Sequence, residues 1–242
     1  MQNIDTTFKM YLDTPTPRLD PDTHSLTLCK YHTLLWSKAL PTGKVYNLDS
    51  NRTRPYYLRH VSELGDFKLA SDSIIHTYSK WKNRNMVEII EQVGKLEVDS
   101  FYDFASTIGA YIIFPANRID QKPTINGARG INPKIKDRFD LTLECIRRWY
   151  SGIESPLFED IERYKCFFDL FESFEGYVKF FLLDDIVDEE FNNIRFWLPF
   201  EEFSKTKPLP SSVHEYREYM TNVLYFIRLR NLRIEKWVDE NL

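Results

Sequence analysis

Long hydrophobic runs are missing from this chain. The longest apolar clusters, such as Phe180 to Leu183, are far too short to span a bilayer. The start, MQNIDTTFKMYLD, lacks a basic stretch followed by an apolar core, so no secretory signal and no membrane partner are expected. Cysteine is scarce. Cys29, Cys145 and Cys166 are odd in number and far apart, with no CxxC or Cys/His cluster. That pattern excludes a disulfide scaffold and gives no metal site, and a reducing cytoplasm is the expected location. No internal repeat, low-complexity tract or clear linker interrupts the chain. Neither GxxxxGK[ST] nor GxGxxG is completed anywhere.

What the chain has is core-forming material. Of 242 residues, 43% are hydrophobic and 15% aromatic, which suits one large domain and excludes global disorder. Residues 1–30, rich in Asp, Thr and Pro, are expected as an arm wrapping the surface, and residues 31–242 as a single globular domain. Short β-prone runs follow at Lys44 to Asn47, Tyr56 to Val61 and Phe67 to Ala70, the first entered through a Pro41-Thr42-Gly43 turn. A further strand is expected at Tyr111 to Phe114. Helical periodicity marks Asn85 to Val93, with Gly94 as a stop, and Asp99 to Thr107. Asn132-Pro133 reads as a helix start, with Ile135, Phe139, Leu143, Ile146 and Tyr150 as its apolar stripe and Gly152 as its stop. Ser155-Pro156 repeats that start for a helix reaching Gly176, and a further apolar stretch runs from Tyr177 to Val187. Arg195 to Phe200 reads as a buried strand or edge segment. Ser212 and Glu215 form a capping box that opens a long C-terminal helix. The expected class is α+β, helix-rich, with a small antiparallel sheet in the N-terminal half.

Charge is unevenly spread. Residues 116–150 carry eight Lys/Arg against four Asp/Glu, while residues 153–202 are strongly acidic. Two solvated faces of one globule explain this. A basic patch for an anionic ligand beside an acidic surface that discourages indiscriminate nucleic-acid binding is the sharper reading, and in an interaction module the acidic half would instead be the surface for a protein partner.

The segment Pro115 to Arg138 concentrates the candidate chemistry, with two glycines, three asparagines, three arginines and three lysines. A turn-rich loop opening onto a helix near Asn132 would offer unpaired N–H donors and the positive end of a dipole. Arg118, Asn126, Arg129 and Arg138 would then share a concave pocket for a phosphate-bearing ligand. The alternative is that Gly127 and Gly130 serve a tight turn and Arg129 pairs with a distant carboxylate. Asp140 and Glu144, one turn apart, either act as acid and base or hold a divalent ion, or are members of ion pairs with Lys136 and Arg147. Ser71-Asp72-Ser73 either caps a helix or brings Ser71 and Asp72 to a site, and its Ser-x-Ser spacing resembles the serine-bearing strand of ADP-ribosyltransferases, with no Glu-x-Glu to accompany it. His32, Trp36 and Lys38 either stack in the core or build a pocket for a base or sugar.

The segments YHTLLWSKALPTG, SELGDFKLASDS, IGAYIIFPANRID, TINGARGINPKIKDRFDLTLECIRRWY and FEGYVKFFLLDDIV together resemble an uncharacterised bacterial family, known as a domain of unknown function. The resemblance runs from about Tyr31 to Trp237 and implies one domain, with no activity or cofactor to carry over. Three functional readings stand. The first is an intracellular enzyme or ligand-binding protein for a nucleotide or nucleic-acid end, positioned by Arg118, Asn126, Arg129, Arg138, Ser71 and His32, with Asp72 or Asp140 for proton chemistry. The second is a non-catalytic interaction module. The third is a toxin-like or phage-defence effector acting on nucleic acid or NAD.

Overall fold

The computed structural model describes residues 4–16, 19–49, 58–75 and 84–242. A 3-10 turn at Met10–Asp13 comes first, followed by two α-helices. α1 (Pro21–His24) starts on an Asp20 cap with proline at its first position, and α2 (Leu26–Trp36) starts on Ser25, whose side chain accepts from the Leu28 N–H. Both starts follow the rule that a short oxygen side chain satisfies an orphan N–H. α2 crosses from residue 30 to residue 31 without a break, and α1 packs against the central strand of the main sheet.

β1 (Lys38–Ala39) and β2 (Val45–Tyr46) make a small antiparallel pair around the Pro41-Thr42-Gly43 turn. The main sheet is β3 (Leu58–Ser62), β4 (Gly65–Ser73) and β5 (Tyr111–Pro115), antiparallel in the order β3-β4-β5. The β3 reading began at Tyr56; its first two residues lie outside the described residues. β5 is buried at every position, so it needs cover on both faces.

Helices supply that cover. α3 (Val87–Val93) and α4 (Lys95–Phe104) meet at Gly94, whose φ of +93° allows the sharp bend between them. α5 (Ile125–Ile131) follows β5, and then come α6 (Phe139–Tyr150), α7 (Phe158–Glu162), α8 (Lys165–Phe168) and α9 (Phe174–Phe180). The last helix, α10 (Val213–Asn241), starts on Ser212, whose side chain accepts from the Glu215 N–H. Its buried residues recur every three or four positions, from Tyr216 through Val223, Ile227 and Ile234 to Val238. The helix-rich α+β class with small antiparallel sheets in the N-terminal half is therefore as expected.

Several local expectations differ. No helix starts at Asn132: that residue ends α5, and its extended backbone (ψ +122°) is what the following Pro133 favours. The effective start signal is Thr124, whose hydroxyl accepts from the Gly127 N–H, so Gly127 and Gly130 lie inside a helix rather than in a loop. α6 begins only at Phe139. Leu157 to Gly176 is broken into α7, α8, a 3-10 turn at Asp169–Phe171 and the start of α9 instead of one helix. Arg195 to Phe200 forms no strand among the described residues; only a single bridge joins Val187 to Ile194. Ser71 and Asp72 cap no helix among the described residues, because β4 continues to Ser73 in register with Tyr111.

Candidate functional site

Alternation along β4 separates two chemistries. Phe67, Leu69 and Ser71 point into the core, and Lys68, Ala70 and Asp72 point to the other face, which α5 partly covers. Residues two apart on a strand lie about 7 Å apart, so this face runs from a lysine to a carboxylate within about 14 Å.

At the Lys68 end is a cavity of about 540 Å³, lined by Lys68, Asn117, Arg118, Thr124 and Asn126 with Ala70 and Ala116. The end of β5 delivers Asn117 and Arg118, and the first turn of α5 delivers Asn126. Arg118 is exposed and makes no ion pair with a described carboxylate. The Asn126 Oδ1 is buried without a hydrogen-bond partner. A buried amide oxygen left unsatisfied is costly and marks a place where a partner would be welcome.

At the Asp72 end the charges are already matched. Arg129 is fully buried. Its Nη1 donates to Asp72, its Nε to the Thr142 Oγ1 at 3.2 Å, and its Nη2 to the Asp137 carbonyl at 2.9 Å. The Asp137 carboxylate lies 3.3 Å from Nε, and the Phe114 and Phe139 rings lie 5.9 Å away. Arg129 therefore joins β4, β5, α5 and α6. Its charge is consumed by carboxylates, as the structural alternative supposed.

Arg138 has the same character at a different place. It is fully buried, with Nε donating to Asp140 at 3.0 Å and Nη2 to the second Asp140 oxygen, while Nη1 donates to the Pro208 carbonyl at 3.1 Å. Asp140 also accepts from the Trp197 N–H at 3.0 Å. Asp140 thus pairs with Arg138, not with Lys136, and neither Arg129 nor Arg138 lines the cavity that holds Arg118. Glu144 accepts from Arg147 at 2.8 Å, as one reading had it, and from Arg148 at 2.7 Å.

On the inner face, a directed chain of hydrogen bonds fixes the protonation of His32. The Trp36 Nε1–H can only donate, and it donates to His32 Nδ1 at 2.8 Å. His32 Nε2 must then carry the ring proton and donate it to Ser71 Oγ at 2.9 Å. Ser71 in turn donates to Asp22 at 3.3 Å. His32 cannot take a proton from Ser71 in this arrangement, so the pair is not an activated nucleophile. Burial and then the Arg230 charge hold the imidazole neutral, with its pKa down at about 3.

Asp22 closes this chain and also accepts from the Ser73 N–H at 3.1 Å, covering the edge of β4. Asp22 and Asp72 sit close enough to repel one another. Burial first, and then the Asp72 charge, push the Asp22 carboxyl well above its usual range. Asp72 is pushed up to about 6 by burial, with Arg129 opposing and Asp137 and Asp20 adding to the rise. Its side chain remains 25% exposed, so it can exchange a proton with solvent at near-neutral pH.

The predicted site residues therefore divide in space. Arg118 and Asn126 line the cavity, Asp72 lies on the same strand face, Ser71 and His32 lie behind the sheet, and Arg138 and Asp140 hold the start of α6. Asp22 was missed although its Asp-Pro-Asp context is a legible helix start; nothing in its sequence signals a buried carboxylate. Among the described residues no group of His, Cys, Asp and Glu could hold a metal ion, and no helix is long and apolar enough to cross a membrane.

No curated protein and no solved structure matches the chain. One family model does, over residues 4–234, so nearly the whole chain is accounted for. The chain belongs to DUF6994, a family of unknown function.

Proposed function

We propose that the chain binds a small phosphate-bearing ligand, a nucleotide or a nucleic-acid end, in the cavity beside β4 and α5. The observation that carries this reading is Arg118: an exposed guanidinium, without a described carboxylate partner, in a cavity that also holds Lys68 and the unsatisfied Asn126 amide. A guanidinium fork matches phosphate oxygens, and Lys68 adds positive field. Asn126 would meet a hydroxyl or amino donor of the ligand. Asp72, on the same strand face, would take the proton-transfer role should the bound ligand react.

Calorimetric titration with AMP, inorganic phosphate and a short 5′-phosphorylated oligonucleotide tests the reading. At least one should bind, and Arg118→Ala should weaken it with the melting temperature unchanged. A lost charge-assisted contact is worth about 1.5–3 kcal/mol, about tenfold to more than a hundredfold in affinity. Binding that is indifferent to Arg118→Ala, or no binding to any of the three, would remove this reading.

A further inference from the structure

The sequence singled out His32, Trp36 and Lys38 together, and the fold separates their roles. His32 is locked behind the sheet, whereas Lys38 emerges from β1 into a second cavity, of about 480 Å³. Leu40, Pro41, Phe180, Trp237 and Lys179 are among its other lining residues. The Lys38 Nζ stands 5.1 Å from the Trp36 ring centroid and 4.9 Å from those of Phe180 and Trp237. It makes no hydrogen bond or ion pair with a described residue. The carboxylate whose charge acts on it is Asp184, which is already engaged by Lys179 at 3.0 Å and Arg233 at 3.7 Å.

We propose that Lys38 is a reactive amine that captures a small aldehyde or ketone as a Schiff base within this aromatic-walled cavity. The ring walls suit a flat apolar body on the carbonyl compound. This site is separate from the Arg118 cavity and does not depend on it.

The chemistry needs a neutral amine, and the surroundings supply one. Burial, and then the Arg230 charge, push the Lys38 pKa down to about 7, with Asp184 opposing. Arg230 is fully buried, 5.9 Å from the Trp36 ring, and has no carboxylate in hydrogen-bond contact. A second positive charge beside it is costly. The ring faces pull the other way, since they favour the ammonium. Lys179 and Glu175 also border the cavity, the former already paired with Asp184. An ordinary lysine at neutral pH is neutral in only about one molecule in a thousand or fewer, so a lysine titrating at about 7 stands out.

The step balances without another reactant. The Nζ lone pair attacks the carbonyl carbon, and the π pair moves to oxygen, which gains a proton while nitrogen loses one. The resulting carbinolamine expels its oxygen as water, and nitrogen's second proton leaves as the C=N bond forms. One amine and one carbonyl give one imine and one water.

Reductive trapping of the full chain tests this directly. The protein is incubated with benzaldehyde and cyanoborohydride across pH 6–9, and peptide mapping follows modification at each lysine. Lys38 should react at least about tenfold faster at pH 7 than Lys95 and Lys236, which are exposed, and its rate should rise with a midpoint near 7. Lys38→Arg keeps a cation against the rings and should abolish the adduct there. Modification of Lys38 no faster than of Lys95, or a rate that climbs through pH 9 as for an exposed lysine, would overturn the proposal. Both readings come from the unmodified sequence, so they stand even if the variant folds poorly.

Discussion

Arg118 and Arg129 lie eleven residues apart and have opposite fates. Arg118 meets solvent at the rim of a cavity. Arg129 is enclosed, with Asp72, Asp137, Thr142 and two phenylalanine rings around its guanidinium. Removing a buried partner leaves uncompensated charge, which costs far more than a surface pair is worth. Arg129→Ala is expected to destabilise the fold by about 3–5 kcal/mol, or about 6–20 °C in melting temperature. Arg118→Ala should leave it within about 0.5 kcal/mol. Thermal unfolding of the two variants side by side checks this. Equal melting temperatures would show that Arg129 is not a structural partner.

At the scale of elements, α10 holds the molecule together. Eight of its apolar residues are buried, from Tyr216 to Val238, each worth about 1.5–3 kcal/mol of transfer free energy. Polar groups reinforce the packing. Arg230 donates to the carbonyls of Gly109, Tyr111 and Phe181. Asn231 accepts from the Gly109 N–H at 2.8 Å and donates to Thr107. The helix approaches so closely that a Cβ on Gly109 would stand 2.5 Å from Asn231 Oδ1 and 2.9 Å from the Ile227 carbonyl oxygen. Deleting residues 213–242 removes burial that exceeds the usual net stability of a domain, about 5–15 kcal/mol. The shortened chain should be insoluble or lack a cooperative transition. A soluble product melting at the parent temperature would show that α10 is a detachable arm.

For the whole molecule, the carboxyl pair of Asp22 and Asp72 sets part of the response to pH. Asp72 titrates at about 6 in the fold against 3.8 ordinarily, so the folded chain holds that proton more tightly than the unfolded one. Its contribution is present below about pH 4 and is lost as pH rises through about 6. Asp22 acts in the same direction. His32 acts in the opposite direction, because it stays neutral in the fold and must charge when the chain unfolds in acid. Comparing the parent with Asp72→Asn isolates the carboxyl. Between pH 4 and 7 the parent should lose about 1–3 kcal/mol relative to the variant, read from urea denaturation. Parallel stability curves would mean that Asp72 keeps an ordinary affinity for its proton.

Local chemistry was legible wherever one signal acted alone. Ser212 and Glu215 announced α10, Tyr111 to Phe114 announced β5, and the apolar periodicity from Phe139 to Tyr150 announced the face of α6. Where a local signal was misleading, packing decided: Asn132-Pro133 reads as a helix start, yet Asn132 ends α5 and α6 begins only at Phe139. Charge was still less legible. Composition marks residues 116–150 as basic, yet Arg129 and Arg138 are cancelled by Asp72 and Asp140, one of which is 57 residues away. The sequence by itself determined the class of fold, the long C-terminal helix and the lack of membrane-spanning helices among the described residues. Only the tertiary structure decided which cations are consumed in the core, that the Asp72 charge acts on Asp22, and that Lys38 stands among three aromatic rings. Burial, pairing and proton affinity depend on distances between groups remote in sequence, and folding alone sets those distances.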